Sequence, residues 1–387
     1  MQRGQIVKHR GKWRLRYWDI AIINGQKKNV HRAAFLAPIG KDYPTKRSVT
    51  ALADRILAPL NAGQVQPESS LTVVHFFENF YLPHVKKELR PSTYKDYKKD
   101  VFEKHLKVRL GELRLRDFRT VSGQRMLHDI AASNPDVGHK TLLRIKAVLS
   151  GAFKHAKRSG FIDGENPMRD VSAPGKPQKF QGSVYTMVEI ERIAEAVGAV
   201  DVQAFVAISV AAFTGLRLAE LRALRWGDYD GETLTIRRTV WRTHIGDVKN
   251  PASGAGVPVI PVLKKILDEH HARVVATGKN CREDSYIFAG QRRGAPLNLA
   301  NLVRRVIIPA LPSTAADERG PSVPWRGWHS FRRGLATNLF SCGVQPRIIQ
   351  QILRHASVNT TLSIYVQPPS DEARAAMQKI EDWMQNT

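Results

Sequence analysis

Cysteine is nearly absent, with Cys281 and Cys342 the two in 387 residues. Two thiols make neither a disulfide framework nor a zinc site, so a reducing compartment is expected. No stretch approaches the ~18 consecutive apolar residues of a membrane span. The opening MQRGQIVKHRGKWRLRYW lacks the apolar core of a secretory leader. An intracellular, soluble chain that contacts no membrane is expected. No glycine-rich phosphate loop and no metal-ligand cluster can be found, so neither a cofactor nor a metal is expected. Acidic residues are also scarce: 35 Asp and Glu stand against 60 Lys and Arg, a formal net charge of +25 with a pI near 10.3. Such an excess bears on partners rather than on fold, and it points to a polyanion, most often nucleic acid.

The length exceeds one ordinary core and suggests two or three domains. Residues 1–60 hold 13 Lys and Arg and 3 Asp. KWRLRYWDIAII alternates, with Trp13, Leu15 and Tyr17 on one side and Arg14, Arg16 and Trp18 on the other, as in a half-buried strand. Asn24-Gly25 signals a hairpin, a second strand follows through about Phe35, and TKRSVTALADRILAPL reads as a helix. Trp13 and Tyr17 are expected in the core, and a basic, aromatic sheet face could enter a DNA groove. NAGQVQPESS (61–70) reads as a linker. From Leu71 the periodicity is helical in four stretches, with Pro91 at a helix start and Gly160 past a helix end. Lys95, Lys98, Lys99, Lys140, Arg144 and Lys146 lie in these stretches.

VSAPGKPQKFQGS (171–183) reads as a second linker. Beyond it, Thr186 and Glu189 form a capping box, and DVQAFVAISVAAFTG is apolar enough to be a buried helix. GETLTIRRTVW and GVPVIPV flank the polar KNPASGA and read as a β-hairpin or small sheet. Helices follow from about Val262, from Leu299 and over RGWHSFRRGLATNLFSCG, with Gly343 past the end of the last.

Five patches in the C-terminal half carry chemistry: TGLRLAELRALRW with Arg217 and Glu220, the hairpin Lys249, HSFRR with His329 and Arg332, LRH ending at His355, and Tyr365. A guanidinium presents a planar fork of donors to phosphate oxygens. His329 and Arg332 sit at i and i+3 on one helix face. An imidazole handles a proton near neutral pH. A lysine on a hairpin tip can protonate a leaving oxygen, with Lys264 and Lys265 as helical rivals. A tyrosine, with an unperturbed pKa of about 10, attacks phosphorus only where a base and cations assist it.

In this order and context the patches resemble the tyrosine recombinase family, the phage-type integrases. The matching text is TGLRLAEL, Lys249, HSFRR and LRHASVNTTLSIY, with LRWGDYD after the first Arg and TT-x-x-x-Y before Tyr365. The resemblance is strong over about 184–370 and weaker over 71–170 and 1–60. It implies a multidomain chain: an arm-type DNA-binding domain of a small β-sheet plus helix (1–62), an all-α four-helix core-binding domain (71–172), and a mainly α catalytic domain with a small β-sheet (184–387). It implies that Tyr365 forms a 3′-phosphotyrosyl bond and that Arg217, Arg332 and His355 hold the non-bridging oxygens. Lys249 would be the general acid, His329 would help deprotonate Tyr365, and Glu220 would orient the site. Arg14, Arg16, Lys95, Lys99, Lys140 and Arg144 would contact DNA.

The family usually has Gly before the second His. Here Arg354 takes that place, and a DNA phosphate contact is one expectation for it. The implied partners are double-stranded attachment-site DNA, three further copies of the chain in a tetramer, a DNA-bending protein and an excisionase, at the nucleoid of a bacterial cytoplasm. A type IB topoisomerase-like enzyme and a catalytically silent DNA-binding regulator stay open as alternatives. In the final segment, PPSDEARAAMQKIEDWMQ, Ser370 caps an amphipathic helix that packs in cis or docks on a neighbouring copy.

Overall fold

The computed structural model describes residues 1–23, 26–62, 66–177, 182–248, 256–278, 281–292, 294–311, 323–355 and 357. It divides into two compact units, Met1–Lys179 and Phe180–Thr387.

In the first unit, β1 (Gln5–His9), β2 (Lys12–Ile23) and β3 (Gln26–Pro38) form an antiparallel sheet in that order. The β2–β3 register closes at Ile23 opposite Gln26, and the Asn24-Gly25 turn lies outside the described residues. β1 is not anticipated from the sequence: QIVKH is too short and too polar to show a period. The alternation in β2 sends Trp13 and Leu15 inward against Val49, Ala53 and Leu57, with the last two on the helix Thr50–Asn61. Trp13 also donates from Nε1 to Tyr43 O at 2.9 Å. Tyr17 is half-buried, and Trp18 is exposed on the opposite face beside His31.

Asp19 shares the inward parity of Trp13, Leu15 and Tyr17, and it is buried. Its carboxylate accepts from Arg116 Nη1 at 3.1 Å and from Arg116 Nη2, and it pairs with Arg32 Nε at 2.5 Å. Burial alone would raise its pKa; the bonds and charges of Arg116 and Arg32 outweigh this and hold it below the usual carboxylate range. The stretch expected as a linker at 61–70 is docked instead. Pro67–Ser70 is a 3₁₀ turn, Ser69 and Ser70 are buried, and Ser70 Oγ accepts from Ile22 N at 3.3 Å.

Residues 73–88 and 91–110 are helical with π-type turns at Phe77–Tyr81 and Asp96–Leu106, and the helices Thr120–Ser133 and His139–Arg158 follow. They close over one apolar core that includes Phe76, Phe77, Phe102, Leu127, Ile145 and Phe153. The start of the second expected linker belongs to this core: Val171 is buried in it, and Ser172 exchanges two 2.9 Å hydrogen bonds with Gln124.

In the second unit, Thr186 and Glu189 form the expected capping box at the start of Met187–Gly198. Asp201 caps the helix Val202–Thr214 by accepting from Ala204 N at 2.7 Å. That helix is buried along most of its length and forms the spine of the core. The expected hairpin is two short ladders: β4 (Thr233–Thr235) pairs with β7 (Gly256–Pro258), and β5 (Arg238–Trp241) with β6 (His244–Asp247). The helix Pro261–Ala276 and a helical run over 299–310 flank the core, followed by Trp328–Ser341 and Pro346–Leu353. Among the described residues no helix is long and apolar enough to cross a membrane.

Candidate active site

The buried helix Val202–Thr214 ends at Gly215 with φ +59. A Cβ there would meet Leu353 Cδ2 at 2.6 Å, so both the backbone and the space require glycine. The turn delivers Arg217 to the start of the short helix Leu218–Leu221. Arg217 donates from its backbone N to Glu220 Oε2 at 3.0 Å and from Nη1 to Glu220 Oε1 at 2.8 Å. Glu220 is 2% exposed, whereas the Arg217 side chain is partly open to solvent.

Arg332 projects from Trp328–Ser341. Gly334 on this helix lets it close on Tyr185, whose carbonyl oxygen would lie 2.5 Å from an added Cβ. Arg332 is 1% exposed. It donates from Nη1 to Gly215 O at 2.6 Å, from Nη2 to Leu353 O, and from Nε to His355 Nε2 at 3.3 Å. A guanidinium has five N–H donors, so three are engaged and one on each Nη remains among the described residues. Burial, with Arg217 adding to it, pulls the Arg332 pKa down to about 9, and the group is still a cation at neutral pH.

His355 follows the helix Pro346–Leu353. Its N donates to Gln350 O at 3.0 Å, and Gln350 Nε2 donates to His355 O at 3.1 Å. Accepting from Arg332 at Nε2 places the ring proton on Nδ1, an assignment that follows from the bonding network. Burial first, then the charges of Arg332 and Arg217, lower its pKa to about 4. This has a definite sign. The unfolded chain takes up the proton near pH 6.5 and the folded chain only near 4, so the stabilisation is complete above 6.5 and is lost as pH falls through that window. The melting temperature is expected to fall between pH 6.5 and 4 in the wild type, and more shallowly in His355→Asn, as calorimetry across that range would show. His329 lies on the exposed side of the same helix as Arg332. Desolvation first, then the charges of Arg333, Arg332 and Arg217, hold its pKa below the usual histidine range.

Arg354, for which a DNA phosphate contact is one expectation, lies inside the site. It is buried, in the left-handed region at φ +54, and donates from Nη2 to Glu220 Oε2 at 3.2 Å. Arg217, Glu220, His329, Arg332, Arg354 and His355 therefore share one centre, linked by hydrogen bonds and by mutual charge effects. Lys249 and Tyr365 lie outside the described residues, as does the segment from Ser370 onward. Of the residues expected on DNA in the first unit, Arg16, Lys99 and Lys140 are exposed and Arg14 is half-buried. Lys95 pairs with Asp100 at 3.6 Å, and Arg144 Nε donates to Asp96 Oδ2 at 2.7 Å. Among the described residues no group of three or more His, Cys, Asp or Glu side chains could hold a metal ion.

Cations from separate stretches of chain, converging around one buried carboxylate, form a centre suited to gripping an oxyanion such as a phosphodiester. Comparison with known proteins agrees in kind. The Phage integrase family matches residues 184–372, and the N-terminal SAM-like domain of phage integrases matches 72–130. The chain belongs to the tyrosine recombinase family, the phage-type integrases.

A tyrosine recombinase XerC-like protein of Caldanaerobacter subterraneus subsp. tengcongensis is 22% identical over 365 residues, 87% of this chain and 90% of the relative. A tyrosine recombinase of Thermosipho africanus is 25% identical over 320 residues, 80% and 99% respectively. Among solved structures, the Tn1549 transposon integrase in complex with transposon right end DNA aligns with a TM-score of 0.60 at 19% identity, over 80% of this chain and 100% of that one. A lambda integrase tetramer bound to a Holliday junction aligns with a TM-score of 0.57 at 18% identity, over 93% and 94%. These likenesses establish a shared multidomain fold, helix-rich with small sheets.

Proposed function

We propose that this chain, a site-specific DNA recombinase of the integrase type, cuts and rejoins strands through a covalent bond from DNA to Tyr365. The phenolic oxygen attacks phosphorus in line. The bond from phosphorus to the 5′ oxygen breaks, leaving a 3′-phosphotyrosyl link and a 5′-hydroxyl. His329 takes the phenol proton, and Lys249 supplies the proton to the departing oxygen. Arg217, Arg332 and His355 hold the non-bridging oxygens while charge builds on them. The observation that carries this reading is the gathering of Arg217, Arg332 and His355 in one centre, with Arg217 bonded to Glu220 and His355 to Arg332. Rejoining reverses the step with the 5′-hydroxyl of another strand, so the bond energy is conserved.

The helices of 71–172 act as a four-helix core-binding domain, and 184–387 as the catalytic domain. Residues 1–62 form an arm-type domain whose open sheet face carries Arg14, Arg16 and Trp18. Four copies exchange strands through a Holliday junction in a bacterial cytoplasm, at the nucleoid. They integrate and excise a prophage or genomic island, with a bending protein and an excisionase setting direction. The C-terminal helix docks on a neighbouring copy.

The direct test is a nicked duplex carrying the attachment site, from which the 5′ fragment diffuses away after cleavage. A covalent protein–DNA adduct is expected on denaturing gels, and its absence with intact binding returns the chain to the regulator alternative. Recombinant products between two marked sites separate this reading from simple relaxation by a topoisomerase. Because Lys and Arg on both units neutralise phosphates, log K should fall linearly with log salt, with a slope of about −0.9 per phosphate contacted. A slope near zero in a salt titration overturns the assigned DNA faces.

A further inference from the structure

Arg354 is unfavourable on two counts. It is one of three non-glycine residues with positive φ among the described residues, in a region where side chains are strained. Its guanidinium is also buried with Nε and Nη1 lacking any hydrogen-bond partner among the described residues, which is costly for a charged group. Local strain and a partly satisfied buried charge together point toward function rather than packing. Among the described residues its one side-chain hydrogen bond reaches across the site to Glu220 Oε2.

That carboxylate already accepts from the backbone N and Nη1 of Arg217. An ionised carboxylate offers about four acceptor positions. Arg354 fills a third. The backbone of Arg354 does a second job. Its N donates to Gln351 O at 3.0 Å, and the left-handed turn then presents His355, whose N bonds Gln350 O. One residue thus touches both sides of the cation cluster, by side chain on one and by main chain on the other.

We propose that Arg354 is a positioning residue for strand cleavage: through Glu220 it fixes the Arg217 guanidinium, and through its left-handed backbone it sets His355. The inference rests on reading Arg217 and His355 as phosphate ligands. It makes Arg354 neither a DNA contact nor a substitute for the usual glycine without consequence.

The test uses the full chain on the nicked duplex, with adduct formation followed in single turnover beside DNA affinity and melting temperature. Glycine suits φ +54, so Arg354→Gly is expected to fold and to melt no lower than Arg354→Ala, which keeps the strain. Both should form adduct about 10–100-fold more slowly, the range expected for a misplacement of around 1 Å, with affinity changed less than about threefold on the same argument. Arg354→Lys retains a cation within reach of Glu220 and is expected to recover most of the rate. Against a Glu220→Gln background, Arg354→Gly should add less than about twofold, because both act on one element.

The inference is overturned if Arg354→Gly cleaves at the wild-type rate, if affinity falls by the same factor as rate, if Arg354→Lys is no better than Arg354→Gly, or if the two substitutions multiply. Arg217→Ala is the control that separates the two claims. If it forms adduct normally, the phosphate-grip reading has failed. If it is inactive while Arg354→Gly is unaffected, the positioning role alone has failed.

Discussion

Tyr365→Phe is expected to bind attachment-site DNA within about twofold of the wild type and to form no detectable adduct. The loss should be at least ~10⁴-fold, because one oxygen supplies the nucleophile and the covalent intermediate itself. Binding is expected to be spared because other residues supply the cations gathered at Glu220. On the proposed reading the cluster grips the phosphate before and during attack, whereas the phenol is required only once the new bond forms. Gel-shift affinity and denaturing-gel adduct yield, measured on the same preparation, check both halves. An adduct that survives in Tyr365→Phe places the nucleophile elsewhere.

Arg332→Met is expected to separate stability from activity. The guanidinium is buried beside Arg217 and Arg354 with Glu220 as the nearby carboxylate, and its pKa of about 9 against an ordinary 12.5 measures the penalty for keeping the charge there. At 1.36 kcal/mol per pKa unit that penalty is about 5 kcal/mol. Losing the bonds to Gly215 O and Leu353 O leaves two carbonyls unsatisfied, at ~1–3 kcal/mol each. The two effects are of similar size and opposite sign. Methionine fills much of the same volume, so the melting temperature should move by only about 3 °C. Adduct formation should fall by at least ~10²–10³-fold through loss of a phosphate donor alone. Calorimetry and single-turnover cleavage report the two quantities separately; a variant that melts normally and cleaves normally removes Arg332 from the site.

Much of the second unit could be read from residue order because local signals and tertiary structure agree there. The Thr186–Glu189 box starts a helix, unbroken apolar sequence makes a buried one, and the stop at Gly215 is needed both for its φ and for its lack of a Cβ. The convergence of Arg217, Arg332 and His355 is a tertiary fact, and only the resemblance anticipated it. What was missed depends on contacts between distant residues. β1 has no readable period until β2 pairs with it. Ser70 looks like linker until Ile22 bonds to it. Arg354 looks like one more basic surface residue, and only the fold brings it to Glu220, 134 positions away. Asp19 was missed as well, although it shares the parity of Trp13 and Leu15, and a carboxylate on an apolar strand face calls for a cationic partner. Arg116 is that partner, nearly a hundred residues later.

This last joint bears on how an arm-binding module could be used. A sheet whose sequestered Asp19 is gripped by Arg116, on the 3₁₀ turn Leu115–Asp117, is not a ball on a string. If duplex occupies both the sheet and the helices that follow it, as proposed, Asp19 holds the two in a fixed relation, and no hinge lies there.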